Sequence, residues 1–176
     1  MEPEPQWRLE FPPGAVDSHY TSDGSIVAAL AWLEKVLDGR LADAWVSTGA
    51  LFRLALTRYW CWKERFELHE AGHDPLEIAA VLADDSGPAH PLWPAFTSRQ
   101  RLPESAGVAA RSEWVAAGPP EPVGPDLEVV ELLLADTLGT GHCCPPLTLL
   151  LRLGPADWQV AGHGRAPARV GWPPCQ

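Results

Sequence analysis

From Pro146 to Gly164, apolar and polar residues alternate as they do in two paired strands. Leu147, Leu149, Leu151 and Leu153 fall on one face and Thr148 and Arg152 on the other, the two-residue period of a strand. Gly154-Pro155-Ala156-Asp157 has turn chemistry, and Trp158 and Val160 restart the apolar face immediately after it. An equally apolar segment, Leu127–Leu134, lies upstream. Together they predict an antiparallel sheet at the C-terminal end of the chain.

In the first half the period becomes helical. Ile26, Leu30, Leu33 and Leu37 form one stripe and predict a helix over Ser25–Asp38, stopped by Gly39. A short helix over Leu41–Val46 follows. A long one then starts near Leu51, with the stripe Phe52, Ala55, Tyr59, Trp62, Phe66 and His69. That aromatic stripe either packs on the concave side of the sheet or, in part, lines a cavity. Asp74-Pro75-Leu76-Glu77 places Asp at the N-cap, Pro at the first position and Glu at the third of a helix over Pro75–Ala83. Asp84–Arg111 contains Pro88, Pro91, Pro94 and Pro103 and is expected to be irregular, with Trp93 and Phe96 docked on the body. Ser112–Ala117 reads as a strand carrying Trp114. Gly118–Pro125, with four prolines and two glycines, reads as a stiff connector or the wide loop of a hairpin.

This order divides the chain into an extended arm (1–24), one α+β domain (25–164) and a Pro-rich tail (165–176). A chain of 176 residues can bury roughly two thirds of its unfolded surface in one core. Nine tryptophans raise the expectation of a recognition surface or pocket. A net charge of -10 disfavours nucleic acid and anionic membrane as partners, because phosphates are repelled. Met1-Glu2-Pro3-Glu4-Pro5 lacks the apolar core of a signal peptide, and no apolar run approaches the roughly 20 residues of a membrane span. The four cysteines (Cys61, Cys143, Cys144 and Cys175) form no CxxC pair, which fits free thiols in a soluble, cytoplasmic protein.

Three groups of residues suggest chemistry. His69-Glu70-Ala71-Gly72-His73 has the H-E-x-x-H spacing of zinc peptidases, in which two histidines one helical turn apart hold the metal. Gly72 and the new helix start at Asp74-Pro75 are expected to break that turn, so no metal is assigned. Gly141-His142-Cys143-Cys144 gathers soft ligands but has no second cluster to complete a tetrahedron. Glu131 lies on an apolar strand face with Arg152 in the neighbouring strand. It either pairs with Arg152 across the strands or stands in a cavity as an acid/base group.

Helices followed by an antiparallel sheet ending in Trp158-x-Val160-Ala161-Gly162 resemble the nuclear-transport-factor-like superfamily. Ketosteroid isomerases, SnoaL-type polyketide cyclases and scytalone dehydratase share its cone-shaped α+β fold. Pro122–Val130 and Gly171–Pro174 are similar to segments of uncharacterised actinobacterial proteins of this type. The resemblance covers about residues 25–174, and the long stretch 84–111 departs from it. It implies N-terminal helices packed on a strongly curved antiparallel sheet, a pocket between the long helix and the concave face, and a homodimer through the outer face. No catalytic Asp or His motif of the family matches residue by residue, so no catalytic residue carries over. The expected function is binding of an apolar or aromatic small molecule, with Tyr59, Trp62, Phe66, Trp114, Glu131 and Arg152 as the site, and without a cofactor. An isomerase, cyclase or dehydratase is the alternative, followed by a protein-interaction module with a filled cone; a zinc peptidase comes last.

Overall fold

The computed structural model describes residues 24–100, 114–134 and 146–174. The expected arm therefore lies outside the described residues apart from Gly24, and Gly141-His142-Cys143-Cys144 lies wholly outside them. Helices come first: α1 (Gly24–Leu37), α2 (Leu41–Val46), α3 (Ala50–Lys63), α4 (Arg65–Glu70), α5 (Pro75–Ala83) and α6 (Trp93–Ser98). Strands β1 (Trp114–Ala116), β2 (Glu121–Gly124), β3 (Leu127–Leu134), β4 (Leu147–Leu153) and β5 (Trp158–His163) follow. The protein is α+β, with five antiparallel strands in one sheet that does not close into a barrel.

Two helices end on the same device. Gly39 (φ 73°) and Gly72 (φ 81°) adopt the left-handed conformation that glycine reaches without strain. Arg40 N–H then donates to Lys35 O, and His73 N–H to Leu68 O, the closing bond of a Schellman motif. The second stop leaves His69 inside α4 and His73 beyond its end, so the H-E-x-x-H residues do not share a continuous turn. Asp74 caps α5 by accepting from the N–H groups of Leu76 and Glu77 at 2.8 and 3.1 Å.

Order β1-β3-β4-β5 builds the sheet, and β2 pairs along the same edge of β3 as β1. Of the two readings of 118–125, stiff connector or wide loop of a hairpin, the second holds, since β1 and β3 pair across it, and the loop itself contains an edge strand. Pro122 is tolerated there because an edge need not donate on both sides. On β3 and β4, Val130 faces Leu149 and Leu132 faces Leu147, which puts the aliphatic residues on one inner face. They form one buried cluster with Ala29, Trp32 and Leu33 of α1, Phe52 of α3, and Trp158 and Val160 of β5. A second buried cluster is helical, made from Trp45, Trp60, Cys61, Leu68, Ile78, Leu82, Trp93 and Phe96. Burial there pushes the Cys61 thiol up to about 12.

Three expectations need correction. The long helix breaks at Glu64, and its buried line is Phe52, Arg53, Thr57, Trp60 and Cys61, so the aromatic stripe is rotated away from the core. Packing of α3 against α5 on one side and β5 on the other selects that line over the one with more rings. In α1 the buried residues are Ser25, Ala29, Trp32 and Leu33, so of the expected stripe Leu33 is at the centre of the core and Ile26, Leu30 and Leu37 pack half-buried at its margin. Residues 84–100 are only partly irregular: a 3-10 turn (Gly87–Ala89) and α6 occupy about half of them. Pro94 sits in the first turn of α6, where its missing N–H costs nothing.

Candidate functional site

The connection between α2 and α3 determines where the two clusters meet. Gly49 N–H donates to Val160 O at 2.8 Å, and Val160 N–H donates to Ser47 O at 2.9 Å. Thr48 and Val160 thereby form a parallel bridge on the outer edge of β5. The approach is close: a Cβ on Gly49 would stand 3.4 Å from Val160 O. α3 therefore starts beside the sheet edge and runs outward along the helical cluster.

Next to this contact, β5 is bulged. Leu151 pairs with Val160 and Leu150 with Gly162, leaving Ala161 as an extra residue. From Trp158 and Val160, strict alternation would point Gly162 inward and His163 outward. The extra residue reverses this and sets His163 opposite Leu149 on the inner face. Its imidazole meets Phe52 edge-on, with centroids 5.1 Å apart, and Trp32 edge-on at 6.0 Å. Desolvation pushes its pKa below the ordinary histidine value, although the residue keeps exposed surface. Both hold for a side chain on the wall of a concavity: protein surrounds it, yet water reaches it.

That concavity has a volume of about 490 Å³ and lies between the two clusters. Phe52, Leu56, Tyr59 and Lys63, spaced by four, three and four, line it along α3. Trp32 of α1, Trp45 of α2, and Trp93 and Phe96 of α6 close its other sides. Trp45 meets Trp93 and Phe96 edge-on with centroids 5.0 and 5.5 Å apart, so the aromatic wall is rigid and interlocked. Charge gathers at the far end, where Glu64 and Arg99 lie 3.7 Å apart and Lys63 stands over the Tyr59 ring. From Phe52 to Lys63 the helix rises roughly 16 Å, so the cavity is long.

Of the residues expected at the site, Tyr59 lines the cavity and the others do not. Trp62 turns away to meet Trp172 edge-on, at 5.2 Å between centroids, with the Arg65 guanidinium 4.2 Å from its own ring. Phe66 is 66% exposed. Trp114 packs at the margin of the sheet cluster. Glu131 and Arg152 do not pair: Thr148 lies opposite Glu131, and Leu127 opposite Arg152. Glu131 instead accepts from Arg165 Nη1 at 3.0 Å, which Glu121 also engages, while Arg152 faces Asp126 at 3.4 Å. The register separates them by four residues along the ladder, beyond side-chain reach. Trp32, Trp45, Trp60, Trp93, Phe96 and His163 line the cavity without having been expected there. The Trp93–Phe96 spacing of one helical turn is the local signal for two of them. Among the described residues, no group of three or more His, Cys, Asp or Glu side chains could hold a metal ion. No helix among them is long and apolar enough to cross a membrane.

No protein-family model, curated protein or solved structure matches the chain significantly.

Proposed function

We propose that the protein binds an apolar, aromatic small molecule in the cavity between the helical cluster and the sheet. The observation that carries this reading is an elongated cavity of about 490 Å³ walled by indole and phenyl rings. Small-molecule pockets of about 300–1,000 Å³ share that character, apolar with a few placed polar groups. The reading keeps the cone-shaped, nuclear-transport-factor-like architecture as its frame. Its support is the chain order, helices before sheet, and the burial of α1 residues together with the inner face. A second reading, an isomerase, cyclase or dehydratase, is favoured by one feature: the His163 imidazole on the cavity wall, of the kind a general base requires.

Titration with N-phenyl-1-naphthylamine, a neutral dye that brightens in apolar surroundings, tests the binding reading. A saturable rise at one equivalent is expected. Leu56→Trp, which places an indole in the cavity, should weaken binding at least about tenfold, or about 1.4 kcal/mol. A signal that never saturates, or one indifferent to Leu56→Trp, would count against the cavity as a ligand site.

A further inference from the structure

Most polar groups on the cavity wall are already engaged within the protein. Thr48 Oγ1 accepts from Trp32 Nε1 at 2.9 Å and donates to Ala44 O at 2.8 Å. Trp45 Nε1 donates to Leu82 O at 3.2 Å, and Thr97 Oγ1 to Trp93 O at 3.0 Å. At the far end Glu64 faces Arg99, and Lys63 covers Tyr59. Trp60 Nε1 is a buried donor without a partner among the described residues, and His163 is the acceptor that differs from the engaged groups. Among the described residues no hydrogen-bonding group meets its imidazole, and its neighbours are the rings of Trp32 and Phe52. The bulge at Ala161 turns it to this wall, and bulges often re-aim a side chain beside a site.

We propose that His163 is the specificity-determining residue of the cavity, accepting the hydroxyl hydrogen of an uncharged aromatic ligand, so that phenols are selected over the matching hydrocarbons. The proposal rests on the reading of the cavity as a ligand site. Charge excludes the other candidates. A carboxylate beside His163 would sit against Trp32 and Phe52, while the cations Lys63 and Arg99 stand at the opposite end, roughly 16 Å along α3. An ammonium would likewise be far from Glu64. A hydroxyl needs only an acceptor. Desolvation holds the imidazole pKa below its ordinary value, which favours the neutral form with one ring nitrogen free to accept. The titratable groups along the cavity besides His163 are Tyr59, Lys63, Glu64 and Arg99, all toward the far end, and α1 and the start of α3 present the rings of Trp32 and Phe52 to His163.

Isothermal titration calorimetry with 2-naphthol and naphthalene tests this. A hydroxyl that finds no partner must still be desolvated, so without His163 the hydrocarbon is the tighter ligand or the two are equal. The wild-type protein should bind 2-naphthol about tenfold more tightly than naphthalene. His163→Phe, which keeps a ring of similar size, should abolish that preference and retain naphthalene binding. His163→Gln, which keeps an acceptor, should restore part of it. Naphthalene binding as tightly as 2-naphthol to the wild type overturns the proposal and leaves the cavity reading standing. A preference that persists in His163→Phe overturns it as well. Failure of both probes to bind overturns the cavity reading itself. If His163→Phe does not fold, the wild-type ratio and His163→Gln decide.

Discussion

The two buried clusters use different side chains and reach different packing. On the inner sheet face, Val130, Leu132, Leu147, Leu149 and Leu151 are at most 4% exposed. Val130 stands opposite Leu149 and Leu132 opposite Leu147 across β3 and β4, where the pleat interleaves branched aliphatic side chains and leaves little space. Among the helices, Trp45, Trp60, Trp93 and Phe96 meet edge-on at centroid separations of 5.0 to 5.8 Å. Large rigid rings in that geometry lock each other but do not mould to the adjoining aliphatic surface. The cavity opens at this mismatch, bounded by Trp32 and Phe52 from one cluster and by Trp45, Trp60 and Phe96 from the other. A close-packed core and a ring-walled hollow thus lie side by side in one small protein, the first giving stability and the second leaving room for a ligand.

The contrast can be broken most easily from the sheet side. Leu151 is fully buried, and Leu151→Ala should destabilise by about 2–5 kcal/mol in denaturant unfolding. A loss below about 0.5 kcal/mol, the level of a surface substitution, would show that the inner face is not close-packed. Overpacking separates the two regions directly. Leu149→Phe forces a ring into a filled site and should cost about 1–3 kcal/mol. Leu56→Phe extends into the hollow and should stay within about 0.5 kcal/mol of the wild type. Equal costs for the two would mean that the helical side is as full as the sheet.

The smallest expected effect is on pH dependence. The folded pKa of His163 lies below its unfolded value, so the unfolded state binds the proton more readily. The stability linked to this group is complete above the ordinary histidine range and is lost as pH falls through the folded value. His163→Phe should remove that component, making the fall in urea midpoint from pH 7 to 5 shallower than in the wild type. An unchanged slope would place the imidazole in open water.

Local signals made much of the fold legible. The strands Leu127–Leu134, Leu147–Leu153 and Trp158–His163 and the helices Leu41–Val46 and Pro75–Ala83 follow from alternation, turn residues and an Asp-Pro cap, all of which act over a few residues. The site was less legible. Helical period alone predicts that α3 is amphipathic, but packing against α5 and β5 chooses the phase, and that choice excludes Trp62 and Phe66 from the cavity. Prolines read as breakers at 88–94, although the first turn of a helix accepts them. His163 depended on one extra residue in β5, beside a contact made by Ser47–Gly49 more than a hundred residues earlier. Nothing in the local alternation signals that bulge. Neither expectation for Glu131, a pair with Arg152 or a place in the cavity, follows from strand proximity, because register assigns Glu131 and Arg152 different partners.

Nine tryptophans provide internal reporters for the central claim, that ring-walled space between the clusters receives a ligand. In a titration with naphthalene followed by the indole N–H resonances in ¹H–¹⁵N spectra, the signals of Trp32, Trp45, Trp60 and Trp93 should shift together and saturate, because these four line the cavity. Trp114 and Trp158, in and beside the sheet core, and Trp62, paired with Trp172, should hold their positions. If the four lining indoles stay fixed, or if Trp62 and Trp172 respond in their place, the account of the cavity is contradicted.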